Sequence, residues 1–572
     1  MGSLGMLRGL RTRSVNFTCV AGWVPVVTGT VVQSGFELVT IAVGNWSSCC
    51  RSAGGMSVAV NWEGCVVKRI SSVVLAWGVG VMLLQPARAV EPINLGDQRE
   101  LMFDGHLFSS VRGLSFRQHR PVEREKTLDF SAPWEGRRPF GFSVTGYATV
   151  LTEPGRFRMY YASWYGHRLK PGDPEQQFTG YCESRDGIHW ERPKLGRVQF
   201  DGNKQNNILF QGGSISHNFA PFIDTRPGVP DDEKYKAVGG NGKAYVFGSP
   251  DGIEWRKLRE MPIVDGTEKA FDRYGAIHRG NNPANPRAIL DSHNLAFWDS
   301  ARGRYVFFFR AHLPALDRAG REVKGTVRSV MMCTSKDFRE WSGIRPIDLG
   351  VPRQAWRTGL YTTSLQPYPR APHMLVGFPL LTIPRRPFKG DSFGMSETGL
   401  MYSRDGERFT LADESLMPPG RDMRNWTKHG NMFAWGLTQT ADDELSMYYH
   451  QHDHQSTMHL KRATIRVDGF VSLHAGRYPG GEAISRPLVF SGNELELNVA
   501  TGAGGGVRVG LVDAVTGQVI PGLEASDEFY GDQVAHVVHW DGKKDLSKVA
   551  GRVVRLKLTL YDADLYSLRF RP

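Results

Sequence analysis

From about residue 95 to residue 467 the chain alternates short apolar runs with clusters of Gly, Pro, Asp and Asn. Five of these runs are RFRMYYAS (156–163), EKYKAVGG (233–240), RYVFFFRA (304–311), PHMLVGF (372–378) and ELSMYYH (444–450). Their β-branched and aromatic content, and the turn residues that bound them, predict strands. No long amphipathic helix is predicted in this region. Each run follows a stretch with a common frame. Asn218 and Asn294 are each followed four residues later by an aromatic, Phe222 and Trp298. Asn431 with Trp435 repeats this, Ser364 with Tyr368 does so more loosely, and Gly146 fits without the aromatic. The intervals between these positions are 72, 76, 70 and 67 residues.

A second repeat is SRDGIHW at Ser184, SPDGIEW at Ser249, SKDFREW at Ser335 and SRDGERF at Ser403. The Asp-Gly pair is a tight reversal, and the following aromatic is placed to seal the hairpin against a neighbour. Units of about 70 residues, each with three or four strands, predict an all-β five-bladed propeller over 95–467. The Asn/aromatic stretch comes first in each unit and is assigned to the strand lining the central axis. A string of β-sandwiches is the other arrangement, but it does not require equal spacing. From 468 to 572, short strands joined by Gly-rich turns predict a C-terminal β-sandwich. That module either binds sugar or braces the propeller, and no row of exposed aromatics along its strands stands out.

The first 89 residues break the pattern. Residues 68–89 read KRISSVVLAWGVGVMLLQPARA: a positive start, an apolar stretch from Ile70 to Leu84, and Ala87-Arg88-Ala89. This is the pattern of a signal peptide. The apolar stretch is shorter than the roughly 20 residues that span a bilayer, so cleavage is expected over a membrane anchor. Residues 1–67 are then an extended or non-native N-terminus, and the mature protein works in the periplasm or outside the cell. No later segment is long and apolar enough to span a membrane.

Charge adds little. The formal balance is +12, with seven Lys/Arg against two Asp/Glu in residues 1–89. No basic run is interleaved with aromatics, so a nucleic-acid partner is not expected. Four of the six cysteines precede residue 66 and none shows CxxC spacing, so no zinc site is expected. Cys182 and Cys333 remain, and one bridge between them is open.

Several stretches together resemble a known group: LMFDGHLF (101–108), FRQHRPVEREKTL (116–128), PWEG (133–136), ESRDGIHWERPKLG (183–196), GNKQNNILF (202–210), HNFAPFID (217–224) and DADLYSLRF (562–570). They are similar to secreted bacterial proteins described as glycosyl hydrolase-like, with a five-bladed propeller like that of glycoside hydrolase families 32 and 43. The resemblance implies that fold and a carbohydrate substrate. The Trp-Met-Asn-Asp-Pro-Asn stretch of family 32 is absent, so the fold carries over better than the substrate.

Glycoside hydrolysis ordinarily takes two carboxyl groups flanking the scissile bond. Residues repeated in every unit serve the unit, so departures from the repeat are the better candidates. LDSHNLAFWD (290–299) matches ISHNFAPFID (215–224), yet Asp291 stands where the earlier copy has Ile215. Asp291 is therefore the first catalytic candidate, as base or nucleophile. Glu135, in PWEG before the first inner strand, and Glu397, in FGMSETGLMYS, are the candidate partners. A turn aspartate, a loop glutamate and a solvent-facing glutamate are their respective structural alternatives.

His217, Asn218, His293, Asn294, Arg310, Tyr361, Trp426 and His429 are the candidate substrate-binding residues, set at strand starts or inter-blade loops. For the His and Asn residues, hydrogen bonds that pin neighbouring blades are the alternative. His450, His452, Asp453 and His454 form HQHDH, but alternate strand positions leave a metal short of ligands, so no metal or other cofactor is expected. The expected function is an exported glycoside hydrolase. A glycoside phosphorylase using Arg310, Arg328, Arg385 and Arg386 for phosphate, or a non-catalytic glycan-binding protein, are the alternatives.

Overall fold

The computed structural model describes residues 91–136, 146–164, 177–274, 289–353, 359–383, 394–453 and 455–572. The expected signal segment at 68–89 and the extension before it lie outside the described residues. Among those described, no helix is long and apolar enough to cross a membrane.

Strands dominate, and five antiparallel sheets follow one another along the chain. Sheet I comprises Gly146–Glu153, Arg156–Trp164, Gln177–Ser184 and Ile208–Gln211. Sheet II comprises Ala220–Ile223, Tyr235–Gly239, Lys243–Ser249 and Arg256–Lys257, with Val264–Asp265 added. Sheet III comprises Leu295–Asp299, Arg304–Leu316, Glu322–Ser335 and Trp341–Pro346. Sheet IV comprises Gln366–Tyr368, Ala371–Gly377, Met401–Ser403 and Thr410–Leu411, with a separate ribbon, Leu380–Ile383 and Met395–Thr398, inserted. Sheet V comprises Thr438–Ala441, Glu444–Gln451 and His459–Arg466. Its fourth strand is supplied from earlier in the chain, by Val122–Asp129. The second strands match the five apolar runs read from the sequence. In sheet V the first strand begins beyond Asn431–Trp435. That segment instead bridges to sheet I, where Trp435 exchanges backbone hydrogen bonds with Ala148 and Val150.

The repeated Ser-x-Asp turn joins the third strand to the fourth in sheets I to IV. In each copy the Ser hydroxyl accepts the N–H three residues on, and the Asp carboxylate accepts the next two N–H groups. The reversal needs a left-handed residue, which is Gly187, Gly252, Gly406 and, in the copy lacking glycine, Phe338 at φ 68°. Each turn is gripped by the preceding sheet. Tyr160 of sheet I donates to Gly252 O (2.9 Å), Phe222 of sheet II packs on Phe338 (5.4 Å), and Arg302 of sheet III donates to Arg404 O (2.5 Å). Tyr448 of sheet V donates to Gly187 O of sheet I (2.5 Å). Between sheets IV and V, the Trp435 indole donates to Leu365 O (2.7 Å). Every sheet thus contacts the next, and the fifth contacts the first.

The remaining strands form one ten-stranded hydrogen-bonded sheet around Glu494–Asp513 and Val554–Arg571. Four strands from residues 93–118 pair into it, so that stretch belongs with the C-terminal sheet rather than with the repeats, a correction to the boundary at 95. The reason is register: Arg99–Leu101 pairs with Ser567–Arg569, and Leu114–Gln118 with Val471–Ala475. Asp468 fastens this sheet to sheet IV. It is buried, accepts from Tyr368 (3.0 Å) and Ser567 (2.7 Å), and pairs with Arg370 (3.1 Å) and Arg99 (3.5 Å). Cys182 and Cys333 are free and buried in sheets I and III, so the bridge left open by the sequence is not made.

Candidate active site

In an antiparallel sheet the second strand returns to the end where the first began. The segments entering each sheet and the tips of the second strands therefore lie at the same end of each sheet, and the cluster described here forms there. Sheet III contributes most. Its second and third strands run to 13 and 14 residues and pair His312 with Arg328 and Arg310 with Val330. Alternation places Arg310, His312 and Arg328 on one face.

Asp291 enters from the segment before sheet III. Arg310 donates to its Oδ2 (2.9 Å) and His217 Nε2, from the segment before sheet II, donates to its Oδ1 (2.9 Å). The Asp291 side chain is 43% exposed while that of Arg310 is 3% exposed, so the pair presents a carboxylate to solvent over a buried guanidinium. Sheet I adds Tyr147, held at φ 58°, whose hydroxyl lies 2.7 Å from that of Tyr361. The Tyr147 ring stacks on His293 (6.0 Å) and meets His217 edge-on (5.7 Å). Tyr361, entering sheet IV, carries the Arg328 guanidinium over its face (4.5 Å) and packs against His429 (4.4 Å). His429 in turn pairs with the buried carboxylate of Asp453 (3.2 Å) at the tip of sheet V. Side chains from all five sheets or their entry segments meet in this one cluster.

Its charge states are well separated. Burial opposes ionisation of Asp291, but the Arg310 charge and the His217 hydrogen bond outweigh it and hold the carboxyl well below its usual range. Burial drives Tyr147 well above the ordinary phenol value and raises Tyr361, so both remain neutral donors. Burial lowers His293 to about 3, with His450 adding to the effect, and lowers His450 to about 4. Arg328 is lowered chiefly by burial, with Arg310 contributing.

Of the residues singled out from sequence, Asp291, His217, His293, Arg310, Tyr361 and His429 come together. Asn218 and Asn294 are engaged with backbone groups. Asn218 bonds Leu290 O (2.6 Å) and Gly240 N (2.9 Å), and Asn294 bonds Leu290 O (3.0 Å), Ser292 O (2.9 Å) and Arg310 N (3.1 Å). These bonds pin backbone, and those of Asn294 use both of its amide N–H groups. Trp426 lies on the loop after Met423–Asn425, and its indole donates to Gly420 O (3.0 Å).

Both candidate partner acids have surroundings of their own. Glu135 is fully buried; Arg192 grips both its oxygens at 2.9 Å, Tyr161 donates to Oε1 and Ala132 N to Oε2 (2.8 Å). It braces the entry to sheet I, with both oxygens occupied by the protein. Glu397 sits on the inserted ribbon opposite Leu381. Its neighbours Ser396 and Thr398 bond Thr427 O and Asn431 O, so alternation turns Glu397 to the other face. There it lines a groove of about 560 Å³ with Arg408 and Leu411.

Sequence reasoning missed Tyr147 and His312, and it weighed Asp453 only as a metal ligand. The signal for His312 was present: the sheet III run continues beyond the repeat. Tyr147 carried no signal, because its glycine-led stretch lacks the repeated aromatic. Within HQHDH, His450 bonds Met432 O (3.3 Å) whereas His452 bonds Asp422 (2.9 Å) and Thr457 (2.9 Å). The two rings thus serve different partners, while His454 lies outside the described residues. Arg385 and Arg386 also lie outside them.

No family model matches the chain. It is 31% identical over 159 residues to "Uncharacterized protein Rv1502" of Mycobacterium tuberculosis (strain ATCC 25618 / H37Rv), an alignment covering 27% of this chain and 46% of that protein. A second relative, "Uncharacterized protein MT1551" of strain CDC 1551 / Oshkosh, aligns with the same identity and coverage. The chain thus spans less than half the length of the curated relatives it matches. Among solved structures, the catalytic domain of the Coprinopsis cinerea GH62 alpha-L-arabinofuranosidase is 12% identical with a TM-score of 0.35, over 62% of this chain and 98% of that one. The Bombyx mori GH32 beta-fructofuranosidase BmSUC1 is 10% identical with a TM-score of 0.37, over 78% and 94%. These scores are too low to carry any residue's role across.

Proposed function

We propose that the protein is an exported glycan-active hydrolase. On this reading its five sheets are the blades of a propeller, and its ten-stranded sheet folds over as a β-sandwich. The observation that carries the proposal is Asp291: an accessible carboxylate kept ionised at the meeting point of the sheets, beside the neutral Tyr147, Tyr361 and His293. Such a group suits a base or nucleophile. Tyr147, Tyr361 and His293 supply rings and hydrogen-bonding groups of the kind that hold a sugar. The proton-donor side is assigned to His429 with Asp453, in place of Glu135 and Glu397. His429 reaches the cluster through Tyr361, and the buried Asp453 carboxylate orients its ring.

A phosphorylase is the second reading, favoured by one observation: Arg310 and Arg328 share a face beside Asp291, as an anion site requires. The test is turnover of a panel of polysaccharides and aryl glycosides by the wild type and Asp291→Asn, with and without inorganic phosphate. Asp291→Asn is expected to lower kcat by about 10²–10⁴-fold. Wild-type turnover that depends on phosphate selects the phosphorylase, and unchanged turnover in the variant removes Asp291 from the chemistry.

A further inference from the structure

We infer that the C-terminal sheet carries a second glycan-binding site, separate from the hub. It is built by Tyr478, Tyr561 and Tyr530 around a glycine floor. Tyr561 lies directly across from Gly506 in the sheet, and a Cβ placed on Gly506 would sit 2.6 Å from the Tyr561 hydroxyl and 2.8 Å from Glu528 Oε1. Glycine is therefore required for the phenol to lie flat over this strand. On the other side of the strand, Val507 and Phe529 exchange both backbone hydrogen bonds at 3.0 Å. Phe529 faces the core, so Glu528 and Tyr530 on either side of it face outward. The Tyr478 ring meets Tyr561 edge-on at 6.2 Å.

Tyr478 and Tyr530 are 83% and 75% exposed, two large rings open to solvent. Between them lie hydrogen-bonding groups rather than aliphatic ones. Tyr561 donates to Glu528, and Arg508 stands 3.6 Å from the same carboxylate. Upright and flat rings interleaved with a carboxylate and a guanidinium match a ligand that has apolar faces and many hydroxyls. That is a description of a saccharide chain; Tyr and Arg are also the residues enriched at protein interfaces, so the choice of a saccharide over a protein partner is carried by the glycan-active reading of the hub and decided by the test. The row is assembled across strands, and so is invisible along any one of them.

The choice of a saccharide rests in part on the glycan-active reading of the hub, and the test separates the two. The full-length Asp291→Asn protein is run in native gels containing soluble arabinan, mannan, mixed-linkage β-glucan or polygalacturonate, beside the same protein carrying Tyr478→Ala and Tyr530→Ala, or both changes to Phe. At least one polysaccharide is expected to retard the parent. The Ala pair weakens that retardation about tenfold, and the Phe pair keeps it because the rings remain. Both side chains are exposed, so folding is preserved. Retardation that survives the Ala pair, or no retardation by any of the four, overturns the inference. Ring-dependent retardation with no turnover of any glycan by the wild type keeps this site while removing the hydrolase reading.

Discussion

Acid is expected to cost this protein stability through two hub imidazoles. His293 and His450 are 4% and 1% exposed and are held down to about 3 and about 4. In the unfolded chain each titrates near ~6.5. Their folded values lie below the unfolded one, so the stability they contribute is fully present above about pH 6.5 and is lost as the pH falls toward the folded values. Between pH 7 and pH 5 the unfolded chain takes up a proton at each site that the folded protein refuses. Linkage puts the loss at about 2 kcal/mol per imidazole, or about 4 kcal/mol for the pair. The assay is urea unfolding at pH 7, 6 and 5 for the wild type and for His293→Gln/His450→Gln. Comparing the falls, rather than the absolute stabilities, removes whatever the substitutions cost at neutral pH. The double variant should lose about 4 kcal/mol less than the wild type over this interval. Equal losses would show that the buried imidazoles are not the groups that refuse the proton.

Three further outcomes follow from the geometry. Asp468→Ala removes one member of a buried charge cluster that includes Arg99 and Arg370, and should destabilise the fold by about 3–5 kcal/mol in thermal or urea unfolding. Gly187→Ala combines a φ of +73° with a Cβ only 2.8 Å from the Tyr448 hydroxyl, whereas Gly420→Ala has φ +77° and open space. The first should cost about 1 kcal/mol more than the second, the excess reporting the turn's contact with sheet V. Glu135→Gln takes the charge from beside Arg192 and should lower the melting temperature while leaving kcat of the folded fraction unchanged; a kcat loss would return Glu135 to the chemistry.

Much of the fold was legible because its repeats are local. The Asp of each Ser-x-Asp turn binds N–H groups within three residues, so sequence spacing alone marks the turn. The second strands are apolar along their length because both faces are packed, as in Arg304–Leu316. What could not be read was pairing at long range. Val122–Asp129 joins His459–Arg466 across the stretch that holds all five sheets, and residues 93–118 join the C-terminal sheet, through backbone bonds that no local pattern encodes. The site divided in the same way. Asp291 was legible as a departure from Ile215. Glu135 was a catalytic candidate because nothing local marks Arg192, its partner 57 residues away. Asn218 and Asn294 recur because their amides pin backbone, which is what a repeated residue does.

The two Ser-His-Asn copies show how a repeat becomes a site. In the first, Gly213–His217 forms a single helical turn, and Ile215 packs into the core beside Gly239. In the second, Leu290 takes φ 61° and donates its N–H to Arg310 O, and the residue after it is an acid aimed at the guanidinium. His217 of the first copy then closes on Asp291 of the second, while His293 turns to Thr149 (3.0 Å). Asp291 therefore has two physical duties: it offsets a buried cation, and it offers a carboxylate to solvent. The first predicts that Asp291→Asn lowers stability, because Arg310 loses its charge partner while Arg328 stays nearby. The second predicts that turnover falls even where the variant is fully folded. If activity instead tracks the folded fraction as temperature is lowered, Asp291 only balances charge, and the chemistry must be sought at another group of the hub.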